Sequence, residues 1–545
     1  MSGAYPALAP LNVAAPGDHY TDRALQTTLL FLSAAGVQRL AHVNDQPIAA
    51  WGTVLDTARR PDADTLAGYL RAIQLRDAAA APPTNAPPAL AEACPAVGQI
   101  RPGGPIAQAL SQALVARVEA GLCQDPVWYF DGHTIEYSGQ AQIGKTLHGT
   151  KHISVKAVDE YCLFNHVPGL TCYYPTSVPY AEALRAMLIQ AQTALPADRR
   201  IRMLAFDKEG WDADLLQWLV PGQAITPFTW VKDTAPNRAL LAGVDLAEFV
   251  GLAEAVTVGK SDQEHRVRRL ADVDLTFRDL GVWRVVVLET ETGTRLGICT
   301  TALRPAAALA APQAMSTVAV LNTMRYKQRI ENGFKVWRHE MAGDALPTHQ
   351  IHTVVQAEPY DLAQAQSQVS RAEQRLTKQH AAQQHLQELW ERAELDKPEL
   401  TALTARTSRL AAQAQAELDG LASAMTQAQT DPVTGQTTLI HTTECLDLRK
   451  LTLLNLFKEH ALIALHILAH LLGCAGAGPE RLRREFLAHG DRVEFDPEQR
   501  IMTVFAKPFP RARTQRAYEW LCVQLNQRPV TFIRDEIPYR VRFSW

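Results

Sequence analysis

Two short, unbroken apolar runs that each stop on an aspartate constrain this chain most. Trp128-Tyr129-Phe130 is followed by Asp131, and Met203-Leu204-Ala205-Phe206 by Asp207. A run without polar alternation suits a strand covered on both faces. A carboxylate closing such a strand is costly unless it meets a cleft, a partner or a cation. β-branched and aromatic residues predict strands over VWYFDGHTIEYS, HGTKHISVKAVDEYCLF and LTCYYPTSV. PYAEALRAMLIQAQTAL then reads as a helix, RIRMLAFDKEG as a fourth strand, WDADLLQWLV as a helix and AITPFTWV as a fifth strand. In this β-β-β-α-β-α-β order the first and fourth strands can lie side by side, which would join Asp131 and Asp207. Two adjacent carboxylates repel, and a divalent cation resolves the repulsion. Oxygen-only ligands suit Mg²⁺ or Mn²⁺.

A third acid is expected from the helix TVAVLNTMRYKQRIENGFKVWRHEM. Ile330, Phe334, Trp337 and Met341 share one face, while Glu331, Lys335 and Arg338 share another with Lys327 one turn earlier. An acid among cations suits a metal ligand beside phosphate-binding groups. With two ions about 4 Å apart, one activates the attacking water and the other stabilises the leaving oxygen. Glu340 and Glu289 are weaker substitutes for Glu331.

F-D-G-H at 130–133, F-D-K-E-G-W-D at 206–212 and R-I-E-N-G-F-K at 329–335 resemble the three acidic blocks of bacterial insertion-sequence transposases of the DDE class. The resemblance is best over 126–341, and the helix 446–472 is also similar to one found in some members. It implies an RNase H-like α/β core with a mixed sheet, and a third acid on a helix after an inserted β-rich region. It further implies Mg²⁺-dependent DNA cleavage at transposon ends, followed by attack of the freed 3′-hydroxyl on target DNA. Asp131, Asp207 and Glu331 would be the catalytic metal ligands. One subfamily signature is Y-x2-R-x3-E-x6-K. Tyr326 and Arg329 fit its start, but Glu331 follows Arg329 after one residue, and Arg338 stands at the lysine position. The implied phosphate contacts are Tyr326, Arg329 and Arg338, with Lys335 beside them and Lys145 and Lys151 along the DNA path. The implied partner is double-stranded DNA, both ends and target, and the implied location is the bacterial cytoplasm near the nucleoid.

The 545 residues suggest three to four domains at ~150 residues each. Residues 1–20 are Ala/Pro-rich and predict a loose terminus. Residues 21–105 predict short helices and a Pro/Ala linker. The helices fit a DNA-binding helix-turn-helix and an ordinary helical cap equally. The core is expected over 106–355, with a β-rich insertion inside 215–310. A Gln/Ala-rich helical hairpin of coiled-coil type follows over 356–430, with Leu362, Val369 and Leu376 recurring at seven. It could join two copies as a homodimer or clamp DNA. Residues 431–545 predict a C-terminal helical and α+β region.

Charge does not point to a uniformly basic binder: 54 Lys+Arg face 57 Asp+Glu, net −3. The positive charge is local. Residues 500–545 carry nine Arg/Lys, Arg511, Arg513 and Arg516 among them, against three acids, and Arg266, Arg268 and Arg269 form a second cluster. Eight scattered cysteines without a C-x-x-C pair argue against a zinc ribbon or a disulfide scaffold. No signal peptide and no membrane span are expected.

Three decoys carry less weight. GQAQIGKT (139–146) matches the P-loop pattern of an ATPase, but the sequence after it reads as a strand, not the helix a P-loop requires. His466 and His470, with His460 nearby, sit in an apolar helix without the acid of a zinc motif. His133 reads as a turn residue, and Asp212 as the cap of the next helix. An inactive relative that only binds DNA remains the alternative from another class.

Overall fold

The computed structural model describes residues 4–13, 20–34, 40, 43, 61–80, 100–101, 103–141, 143–148, 153–258, 265–305, 314–327, 351–359, 361–392, 397–430, 437–471, 490–506, 512–527, 531–534 and 537–544. The architecture is mixed α/β. The chain forms two compact units: residues 1–140, 144–350 and 446–545 make the larger, and 141–143 with 351–445 make the smaller.

The larger unit opens with helices α1 (Ala4–Leu8), α2 (Asp22–Ala34), α3 (Ala63–Ala79) and α4 (Pro105–Glu119). Strands β1 (Val127–Glu136), β2 (Lys145–His148), β3 (Ile153–Asn165) and β4 (Val167–Pro175) follow. Then come α5 (Tyr180–Ala194), β5 (Met203–Phe206), α6 (Ala213–Gln217), β6 (Thr226–Trp230) and α7 (Ala235–Ala242). Strands β7 (Val250–Val258), β8 (His265–Phe277), β9 (Gly281–Thr290) and β10 (Arg295–Thr300) lead to α8 (Thr317–Tyr326).

These strands form one mixed ten-stranded sheet in the order β2-β3-β1-β5-β6-β10-β9-β8-β7, with β4 also paired to β3. β1 runs antiparallel to β3 and parallel to β5, and β5 runs parallel to β6. The first and fourth predicted strands are therefore neighbours. Alternation divides their side chains. Trp128, Phe130, Leu204 and Phe206 enter one core with α2, α3, α4 and α5. Val127, Tyr129, Met203 and Ala205 enter a second core with Val320, Leu321 and Met324 of α8. Both faces are covered, as unbroken apolar runs require.

The smaller unit holds β11 (Ile351–Pro359), α9 (Leu362–Glu391), α10 (Lys397–Gln427), β12 (Ala428–Thr430) and β13 (Thr437–Leu446), with sheet order β11-β13-β12. The predicted hairpin is present, and strands frame it. Its most buried residues are alanines, Ala365, Ala372, Ala411 and Ala414, because close-packed helices leave room for small side chains at the seam. Arg375 pairs with Glu417 at 2.7 Å across it.

The chain returns to the larger unit with α11 (Leu448–Leu471). Strands β14 (Gly490–Asp496) and β15 (Ile501–Ala506), helix α12 (Ala512–Asn526), and strands β16 (Thr531–Arg534) and β17 (Ile537–Ser544) complete it. Their sheet order is β14-β15-β17-β16.

One expectation is corrected. The N-terminus is not loose over 4–13: Leu8, at the end of α1, and Leu11, just past it, are fully buried in the core. The N-terminal helices pack into that same core. Leu25, Leu66 and Ile106 share one core with Leu453 and Phe457 of α11, so their apolar faces are spent on the sheet and on α11. The turn between α2 and α3 lies mostly outside the described residues.

Candidate active site

Parallel pairing matches Phe130 with Phe206, so the next residues are Asp131 and Asp207. Asp207 stands just past β5 as expected, whereas Asp131 does not close its strand, because β1 continues to Glu136 on its pairing with β3. Alternation turns both toward the face that α8 covers. The two carboxylates meet around one ammonium. Lys327 Nζ lies 3.3 Å from Asp131 Oδ1 and 3.1 Å from Asp207 Oδ2. The Lys327 side chain is 7% exposed and that of Asp131 13%, while Asp207 at 37% opens to solvent. Burial alone would lower the Lys327 ammonium, but the two carboxylates outweigh it and hold its pKa above the ordinary lysine value. Burial likewise pushes the Asp207 carboxyl up, and Lys327 with the Lys208 backbone N–H holds it below its usual range.

Nearby chain fixes both aspartates. Asp131 Oδ1 accepts the Gly132 N–H at 3.0 Å, and Asp207 Oδ1 accepts the Lys208 N–H at 2.7 Å. The Tyr180 hydroxyl donates to the Phe130 carbonyl and accepts the Asp207 N–H, both at 3.4 Å, so one phenol spans β1 and β5. Thr229, fully buried, donates to the Asp207 carbonyl at 3.1 Å. Gly132 is needed here: a Cβ would stand 2.6 Å from the Tyr161 ring, which stacks on Phe130 at 5.4 Å. Glu209 follows in a short turn. Partial burial and then the charges of Asp207 and Asp131 raise its carboxyl.

Helix α8 is anchored from the opposite end. Ser316 caps it by accepting the Ala319 N–H at 3.2 Å. Asp272 on β8 accepts from Arg284 at 2.7 and 3.0 Å, from Arg304 at 2.9 Å and from Thr317 at 2.7 Å. Arg284 also donates to the carbonyls of Ala302, Leu303 and Met315. This clamp ties the inserted strands to the start of the helix that carries Lys327.

The predicted residues fare unequally. Asp131 and Asp207 are brought together. Glu331, Arg329, Lys335, Arg338, Lys151, Arg511 and the substitute Glu340 lie outside the described residues. Tyr326 packs over Tyr129, ring centroids 6.2 Å apart. Arg266 and Arg268 are exposed, and both pair with Glu291, at 3.6 and 3.2 Å. Arg269 pairs with Glu289 at 3.8 Å, and Arg295 also binds Glu289, which ties that acid to β8 and β10. Arg513 lies within α12, and Arg516 on the same helix is exposed. Lys145 is exposed and opens β2, which pairs with β3. The P-loop alternative fails there, since no helix N-terminus follows the glycines. His133 is a strand residue opposite Glu160, not a turn residue. Asp212 caps α6, accepting the Leu215 N–H at 2.7 Å. The His466 and His470 side chains also lie outside the described residues.

Asp131 and Asp207 offer oxygen donors only, which fits a hard divalent cation. Among the described residues no group of three or more His, Cys, Asp or Glu completes a metal centre. Sequence reasoning passed over Tyr180, and it placed Lys327 on the cationic helix face rather than between the two aspartates. No helix among the described residues is long and apolar enough to cross a membrane.

The chain matches no family model and no curated protein. Among solved structures it is similar to a piggyBac transposase, in a cryo-EM structure of the synaptic complex with hairpin DNA, at TM-score 0.31 and 9% identity. The match covers 58% of this chain and 58% of that one. A likeness this distant carries no inference about what the chain does.

Proposed function

We propose that the chain is a DNA transposase of the DDE class, cleaving strands at transposon ends and joining them to target DNA. The observation that carries this reading is the meeting of Asp131, midway along β1, with Asp207, just past the end of the parallel strand β5. The order β4-β3-β1-β5-β6 supports an RNase H-like core. Strands β7 to β10, lying between Asp207 and α8, support the β-rich insertion. Asp131, Asp207 and Glu331 would hold Mg²⁺ or Mn²⁺, two ions. When bound, such ions activate the attacking water and stabilise the leaving oxygen. The Gly132 and Lys208 N–H groups orient the Asp131 and Asp207 carboxylates, and Tyr180 holds the backbone that carries them. The exposed Lys145 and Arg516 suit the DNA backbone, with Arg266 and Arg268 available once they release Glu291.

The test is nicking of a plasmid carrying the DNA that flanks this reading frame. Asp131→Asn and Asp207→Asn should each lower cleavage by about three orders of magnitude or more, with DNA binding largely kept. Cleavage at the wild-type rate by Asp207→Ala would sink the assignment.

One observation favours a second reading, a DNA-binding relative without chemistry. Lys327 occupies the acid pair and offsets half of its charge, as the cation of a retired site would. That reading predicts DNA binding with no nicking at any Mn²⁺ concentration.

A further inference from the structure

Lys327 is an unusual choice for its position. Val320, Met324 and Lys327 follow one helical stripe, and the first two are core residues. Arg325 pins the end of this helix, its Nε donating to the Thr257 carbonyl at 3.2 Å. The ammonium is therefore not a surface group that wanders into the pair. It is delivered there by a packed helix. Burying it costs free energy that only the two carboxylates offset.

We propose that Lys327 is the resident cation of the Asp131–Asp207 pair, and that it competes with a divalent cation for the same carboxylate oxygens until DNA draws it away. This rests on the reading of the pair as a metal site. One ammonium and a divalent cation cannot share two carboxylates without strong mutual repulsion. A DNA phosphate beside the pair gives Lys327 a second anion to hold. Metal uptake and DNA binding then favour each other, and by linkage the benefit is mutual. Lys327 is a positioning residue in this scheme: it holds the carboxylates in place in the DNA-free protein and sets when they accept metal.

The experiment is Mn²⁺ binding to the full chain without DNA, followed by the resonance of free Mn²⁺, together with melting temperature in EDTA and in Mn²⁺. Lys327→Met should bind Mn²⁺ tighter than wild type by roughly tenfold or more. It should melt lower than wild type in EDTA and recover in Mn²⁺, because the metal then replaces the lost cation. Lys327→Arg, which keeps the charge, should stay near wild type. Adding Asp131→Asn to Lys327→Met should abolish the gain. Equal or weaker binding by Lys327→Met overturns the proposal, and so does a gain that survives Asp131→Asn. Lys327→Gln serves if Lys327→Met does not fold. Failure of both neutral variants to fold even in Mn²⁺ also overturns it. Tight Mn²⁺ binding by wild type through Asp131 and Asp207 would leave the transposase reading standing and this inference fallen. Binding in every variant that ignores both aspartates would remove both.

Discussion

At the scale of single residues, Tyr180 and two buried titratable groups make the clearest predictions. Tyr180→Phe removes a hydroxyl that links β1 at Phe130 to the end of β5 at Asp207. It should cost about 1 kcal/mol in urea unfolding and speed amide exchange at the Asp207 N–H. Unchanged exchange would remove Tyr180 from the positioning role. Asp77 is fully buried and accepts the N–H groups of Arg101 and Ile106. Burial raises its carboxyl from 3.8 to about 6. Its contribution to stability is therefore full below pH 3.8 and lost as pH climbs through about 6. His460 works in the other sense. Burial, then Arg117, lowers it from 6.5 to about 3, so its contribution is full above pH 6.5 and lost as pH falls toward 3. Asp77→Asn should leave the His460 effect unopposed, and urea midpoints should then drop more steeply than wild type between pH 6 and pH 4. Identical slopes would count against the Asp77 assignment. Asp131 and Asp207 were legible because each ends an apolar run. Lys327 was not: its neighbours Lys335 and Arg338 drew it onto the polar face, and only its spacing from Val320 and Met324 marks it as core-facing. Tyr180 gave no signal, since a tyrosine opening a helix is ordinary.

At the scale of elements, the inserted strands do more than widen the sheet. The Asp272–Arg284 pair on β8 and β9 grips both sides of the segment that leads into α8. Arg284 is 5% exposed at its side chain, so Arg284→Met leaves the half-buried Asp272 with only Arg304 and Thr317 as donors and strips the Ala302, Leu303 and Met315 carbonyls of theirs. The expected loss is about 3 kcal/mol. α8 should also loosen, measured as faster exchange along 320–327 than at β1. Equal protection of α8 in the variant would refute the clamp. From β1 to β6 the order was readable from period and turn residues except for β2. Among the features that escaped, β2 was missed because Lys-Thr-Leu-His is short, holds one β-branched residue and follows a glycine-rich P-loop look-alike. β7 was hidden because LAEAVTV mixes alanine and acid into its pattern. Of the strands framing the hairpin, β11 was hidden because its partner β13 lies far along the sequence, and β12 because three residues carry too little pattern.

At the scale of the whole molecule, the chain leaves the larger unit at β11 and rejoins it at α11. Replacing 351–445 with a flexible Gly/Ser linker should keep the larger unit folded, with its near-ultraviolet circular dichroism intact. Ending the chain at 445 should not, because Leu453, Leu456 and Phe457 complete the core that holds α2 and β1. A folded 1–445 fragment would contradict that dependence. The division into five sequential domains could not anticipate this, since composition reports neighbours along the chain and not closure between its ends. Arg117 makes the point in another currency, time. It meets Glu459 across 342 residues at 3.0 Å, with both side chains nearly buried. At ~5–20 residues per second, a ribosome needs roughly 20–70 s to supply that partner. Over that interval the nascent chain holds β1, β5 and both aspartates without the helix that seals their core. It is then most exposed to proteases and chaperones, and synthesis sets a delay before any copy can act.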